Sequence, residues 1–102
     1  MSLMIVGADH LGNIEEKLIE MGFGEVIHIT DRKVQDVNRE IPEKINLILV
    51  LTDFVNHNLA KVIKQKAKEQ SLPVYFTKRS WSSIYQVLRE SKGMKSNRIY
   101  NN

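Results

Sequence analysis

The sequence has no cysteine, no long apolar run and no signal-peptide start. The lack of cysteine excludes disulfides, thiolate metal sites and cysteine nucleophiles, and it is typical of a reducing compartment. The longest apolar stretch, residues 45–51, falls far short of the roughly 20 residues that a membrane helix needs. Gly7 and Asp9 interrupt the N-terminal apolar residues where a signal peptide would continue. We therefore expect a cytoplasmic protein that does not span a membrane.

The residues that are present fit one small domain. Of the 102 residues, 42% are hydrophobic and 26% are charged, which is enough for one core and too little for a second. We expect a single α/β domain over residues 1–91. Residues 92–102 lack periodicity and are predicted to form a basic, flexible tail.

Charge is distributed unevenly along the chain. Residues 1–51 carry 5 Lys and Arg against 9 Asp and Glu, whereas residues 52–102 carry 10 against 3. Such asymmetry is typical of proteins with an anionic partner, and it can also make two copies of one chain attract each other head to tail. The alternative is that the lysines of residues 61–68 form an ordinary solvated helix face.

Apolar runs of strand length alternate with segments of helical periodicity. The predicted strands are residues 3–6, 25–30, 45–51 and 74–76. The third is nearly all aliphatic, which is typical of a central parallel strand covered on both faces. The predicted helix caps are Asn13, in a capping-box pattern with Glu16, then Asn56 or Asn58, and finally Ser80. Residues 31–41 are weakly patterned and can hold a short helix before Pro42.

Strands joined by crossover helices form a parallel sheet with right-handed connections. The simplest strand order, 2-1-3-4, gives a small Rossmann-like or flavodoxin-like three-layer sandwich. Ligands of such sheets bind at the carboxyl ends of the strands beside the switch point, here between strands 1 and 3. Residues 6–13 and 51–58 follow these strands, and each segment contains an Asp, a His and an Asn. The candidate ligand-binding residues are Gly7, Asp9, His10, Thr52, Asp53, Asn56, His57, Lys78, Arg79 and Ser80.

These segments complete no nucleophile, metal or phosphate motif. Gly7 and Gly12 have the spacing G-x-x-x-x-G, but the Lys-Ser/Thr of a P-loop and the G-x-G-x-x-G of a dinucleotide fingerprint are missing. The positive N-terminal ends of the predicted helices favour an anion. We therefore expect a non-enzymatic binding or regulatory module for a small anionic or nucleotide-like ligand, with no cofactor identified.

Other functions stay open. An enzyme could use His57 and Asp53 as an acid and a base, although the alternative role of Asp53 is an ion pair with Lys78 or Arg79. His57, with His10 opposite, could also hold a haem or a metal, although metal sites usually need three or four converging ligands.

Nucleic-acid binding and self-association are further possibilities. The basic C-terminal half combines cations with Trp81 and Tyr85, although the helical spacing of Trp81 with Ile84 and Leu88 predicts a core position for it. An exposed edge strand, here strand 2 or strand 4, is commonly covered in a homodimer.

A family resemblance rests on the run from Leu47 to Asn58, on Pro73-Val74-Tyr75-Phe76 and Arg79-Ser80, and on the opening Ile5-Val6-Gly7. Over residues 3–88 the chain resembles the bacterial domain-of-unknown-function family 2325. The resemblance implies a small Rossmann-like α/β domain. It directs attention to Asp53, Asn56 and His57, which match the Thr-Asp and Asn/Ser-His pattern of the family.

Overall fold

The computed structural model describes residues 1–30 and 41–93. In chain order the elements are β1 (Ser2–Val6), α1 (Ile14–Glu20), β2 (Glu25–Ile29), β3 (Leu47–Leu51), a 3-10 turn (Thr52–Phe54), α2 (His57–Glu69), β4 (Val74–Thr77) and α3 (Trp81–Gly93). The short helix expected before Pro42 lies outside the described residues. So does the predicted tail, apart from residues 92 and 93 at the end of α3.

The four strands form one parallel sheet in the order β2-β1-β3-β4. This order confirms the predicted Rossmann-like α/β topology. It leaves β1 and β3 in the middle, where all five residues of β3 are buried. The central position explains the aliphatic sequence of β3, because both of its faces are covered and neither needs a polar side chain.

Alternate residues of the central strands face two separate core layers. Leu3 and Ile5 of β1 lie in the layer that also contains residues of α1 and α3. Met4 and Val6 lie in the opposite layer, with the buried side chains of α2. Helices therefore cover both faces of the sheet, as the predicted three-layer sandwich requires.

The helix caps agree with the sequence at two of three positions. The side chain of Asn56 accepts a hydrogen bond from the backbone N–H of Leu59 at 2.8 Å. Ser80 Oγ accepts one from the N–H of Ser83 at 3.3 Å. The capping box at Asn13 is wrong, since this side chain makes no cap bond and its backbone, with φ −89° and ψ 8°, is not extended as a cap residue requires.

Replacing Asn56 with alanine is expected to lower the free energy of unfolding by about 1 kcal/mol, because the N–H of Leu59 loses its acceptor. Urea denaturation followed by circular dichroism measures the change. The matched control is Asn58→Ala, which removes an exposed amide from the first turn of the same helix. Equal losses in the two variants would contradict the assignment of the cap to Asn56.

No helix in the described part of the chain is long and apolar enough to cross a membrane.

Candidate functional site

The candidate residues lie on the three segments that follow β1, β3 and β4. We call these segments, residues 7–12, 52–57 and 78–80, the carboxyl rim. Because the strands are parallel and adjacent, their carboxyl ends meet at one edge of the sheet. The topology therefore gathers all the candidate residues on one edge, as expected from the sequence.

Arg79 connects the three segments of the rim. Its Nε and Nη2 donate to the backbone carbonyl of His10 at 3.1 and 2.7 Å. Its backbone N–H donates to Asp53 Oδ1 at 3.2 Å. One residue after β4 is thus bonded to the loop after β1 and to the turn after β3, which fixes the relative positions of the three.

Asp53 does not form the ion pair predicted from the sequence. Its carboxylate accepts a hydrogen bond from the backbone N–H of Arg79, whose guanidinium is directed to His10 instead.

Within the described residues, an ion pair forms between Lys44 and Glu25, with Nζ and Oε2 3.1 Å apart. The hydrogen bond from Lys44 lowers the pKa of Glu25, but this pair lies at the amino end of β2 and so at the edge opposite the rim.

His28 contributes to the rim although the sequence did not predict it as a site residue. Its Nε2 lies 2.9 Å from the carbonyl oxygens of both Gly7 and Ala8. Both partners are acceptors, so Nε2 carries a proton and donates to them. These bonds hold two consecutive residues with positive φ, 113° at Gly7 and 66° at Ala8. His28 therefore supports the shape of the loop after β1 from the neighbouring strand β2.

A sequence signal for His28 was available. It is the fourth residue of β2, next to the end of that strand. In the predicted order 2-1-3-4, strand 2 is adjacent to strand 1, so its carboxyl end also borders the rim.

Several titratable side chains of the rim face solvent. Asp9, His10, His57 and Lys78 are exposed, and their side chains make no hydrogen bond or ion pair with the other residues that the structure describes. His57 is the first residue of α2 and follows the cap residue Asn56. These four side chains are thus available for contacts with a bound molecule.

The Arg79 side chain has hydrogen-bond donors that its contacts with His10 do not use. The two hydrogen bonds to His10 use Nε and Nη2, so within the described residues the Nη1 amino group is unpaired. Together with the ammonium group of Lys78, this amino group makes the segment after β4 a source of positive charge at the rim.

Aromatic side chains differ in how far they are committed to the core. Trp81 is half-buried and packs against the layer of α1 and α3, close to its predicted core role. Phe54, in the 3-10 turn, is 42% exposed, and Phe76, near the end of β4, is 37% exposed. The sequence identified neither phenylalanine as part of the site, because a lone phenylalanine beside a buried strand is indistinguishable from a core residue.

In residues 1–30 and 41–93, no three metal-ligating side chains are grouped so that they could hold a metal ion.

The sequence model of a family described as "Uncharacterized protein conserved in bacteria (DUF2325)" matches residues 2–91. No curated protein and no solved structure matches the chain.

Proposed function

The chain belongs to this bacterial family, whose members are described as uncharacterized, and from the geometry of the rim we propose that it is a small binding or regulatory module for an anionic ligand. The ligand sits over the carboxyl ends of β1, β3 and β4. Lys78 and the Nη1 group of Arg79 supply the positive charge. Residues such as Asn56 and Ser80 cap helices and hold the backbone of the site.

The network around Arg79 is the observation that carries this proposal. Asp53 is an acidic side chain in the rim, and its carboxylate already accepts the backbone N–H of Arg79. The guanidinium is held in place by the His10 carbonyl before any ligand arrives. A fixed donor loses little conformational entropy when it binds, so a preorganised arginine favours anion recognition.

The exposed ring of Phe54 supports a nucleotide-like ligand over a bare anion. It lies in the turn that also contains Asp53, directly after β3. An aromatic ring that faces solvent can stack on a planar base, while nearby cations contact a phosphate.

Binding of a panel of anions tests the proposal. Inorganic phosphate, mono-, di- and trinucleotides and dicarboxylates are titrated into the protein by isothermal calorimetry. Lys78→Gln removes an exposed charge without breaking a described contact, and it is expected to weaken binding of the best ligand by roughly tenfold, or ~1.4 kcal/mol. Arg79→Gln is expected to weaken it at least as much.

Arg89→Gln is the matched control, because Arg89 is an exposed cation in the middle of α3 and away from the rim. Equal affinities for Lys78→Gln, Arg79→Gln and Arg89→Gln would show that the ligand binds elsewhere. Phe54→Ala separates the two ligand types. Loss of the ring is expected to weaken the binding of nucleotides and to leave the binding of inorganic phosphate unchanged.

Three finer points stay predictions. An acid-base reaction by His57 and Asp53 predicts turnover that depends on pH. Pairing of an edge strand, β2 or β4, predicts a homodimer. A cytoplasmic location is the expectation that fits the lack of cysteine.

A further inference from the structure

The outer surface of α1 is acidic around an exposed apolar side chain. Glu15, Glu16 and Glu20 are exposed, and Ile19, between them on the helix surface, is 49% exposed. Lys17, the basic residue of this helix, has its Nζ 5.5 Å from the ring of Trp81. Lys17 is half-buried and thus set apart from the glutamates. We call residues 15, 16, 19 and 20 the acidic surface.

The outer surface of α2 has the opposite charge. Lys61, Lys64 and Lys68 are exposed along it. Beside them lies a shallow groove of about 380 Å³, lined by Lys61, Val62, Gln65, Lys66 and Glu69. Val62 is half-buried and supplies apolar contact area in the groove. We call the three lysines and this groove the basic surface.

The two surfaces are comparable in length. At 1.5 Å per residue, Glu15 and Glu20 are about 8 Å apart along α1, and Lys61 and Lys68 are about 10 Å apart along α2. Each surface combines an excess of one charge with an accessible apolar side chain, Ile19 on α1 and Val62 on α2, although Glu69 also lines the groove of the basic surface. Interfaces of this kind are steered by charge complementarity and closed by apolar contact.

We propose that the acidic surface of one copy of this chain docks on the basic surface of a second copy, with Ile19 seated in the groove beside Val62. Because α1 and α2 pack on opposite faces of the sheet, one copy uses its two surfaces to contact two different neighbours. The contact is head to tail, and it produces a ring or a linear assembly rather than a two-fold dimer. The proposal does not depend on the ligand at the carboxyl rim.

Charge reversal with sedimentation velocity tests the proposal. The α1-reversed chain carries Glu15→Lys, Glu16→Lys and Glu20→Lys, and the α2-reversed chain carries Lys61→Glu, Lys64→Glu and Lys68→Glu. The wild-type chain is expected to self-associate at low salt. For each reversed chain alone, the dissociation constant of self-association is expected to be roughly tenfold higher or more. Mixing the two reversed chains restores association, because each presents the complement of the other. Circular dichroism verifies that both reversed chains fold.

Two further measurements make the test specific. Raising the salt to 1 M, where the Debye length is about 3 Å, dissociates the wild-type assembly. Ile19→Ser weakens association, whereas Tyr85→Ser, which removes another exposed large side chain, from α3 and outside both surfaces, does not.

Other outcomes overturn the proposal. A wild-type chain that stays monomeric at all concentrations refutes it. Association that survives in both reversed chains assigns the contact to another surface, such as the edge of β2 or β4. If a polyanion such as single-stranded DNA binds wild-type and α1-reversed chains alike, and neither self-associates, the basic surface serves an anionic partner instead.

Discussion

Replacing Gly7 with alanine is expected to destabilise the protein by roughly 3 kcal/mol. At Gly7 the backbone has φ +113°, and a Cβ added there would lie 3.2 Å from the Cβ and the carbonyl oxygen of Leu51 and from Cγ1 of Val55. Part of the cost is therefore strain in the loop, and part is crowding against the central strand β3. In thermal unfolding the loss corresponds to a decrease of the melting temperature on the order of 15 °C.

The variant Gly22→Ala separates these two contributions. Gly22 has a nearly identical φ of +116°, but nothing lies within 4 Å of a Cβ added there. Its replacement is expected to cost only about 1 kcal/mol, which is the strain without the crowding. Equal losses in the two variants would mean that the contacts with Leu51 and Val55 are harmless, which contradicts the close packing of the loop on β3.

Gly7 illustrates which part of the site follows from sequence. A glycine directly after an apolar strand predicts a tight turn, and the positive φ agrees with that prediction. The sequence does not reveal that the side chain is excluded by Leu51 and Val55, because the loops after β1 and β3 come together only through the strand order. The role of Gly7 in packing explains its presence without any contact to a ligand.

The fold was largely predictable because each strand carries its own burial pattern. The aliphatic run of β3 indicated a central strand, and the crossover helices then required a parallel sheet. The first residue of β3 did not follow from the sequence. The apolar pattern begins at Ile45, whereas strand pairing begins at Leu47. Ile45 is buried in a turn, where its N–H donates to the carbonyl of Pro42. Burial thus extends beyond the strand, and apolar character alone does not locate its first residue.

The contacts within the rim were less predictable than its location. Asp53 and Arg79 were identified as neighbours, but opposite charges suggested an ion pair, whereas the bonds use the backbone N–H of Arg79 and the carbonyl of His10. Sequence patterns specify side-chain types and contain no information on which backbone groups lack partners. The capping box predicted at Asn13 is wrong for a similar reason. The pattern of Asn13 with Glu16 fits a capping box, but the backbone angles of Asn13, which the pattern does not specify, do not.

His28, which the sequence did not identify as a site residue, gives the second large prediction. Replacing His28 with alanine is expected to lower the free energy of unfolding by about 2 kcal/mol, because two partly buried carbonyls lose their donor. The loss also releases Ala8, whose positive φ is unfavourable for a residue with a Cβ. Urea denaturation measures the change in stability. Hydrogen exchange of the amides of residues 7–12 reports the expected increase in opening of the loop.

His10→Ala is the matched control for this prediction. His10 lies in the same rim, but its side chain is exposed and has no described partner, and its carbonyl still accepts from Arg79 after the change. The expected loss is within about 0.5 kcal/mol. His28→Gln retains an N–H donor on a side chain of similar reach, so it should recover part of the stability that alanine removes. If His28→Ala unfolds at the same urea concentration as His10→Ala, the two bonds to the loop carry no net free energy. The shape of the rim after β1 then depends on Gly7 and Arg79 rather than on β2.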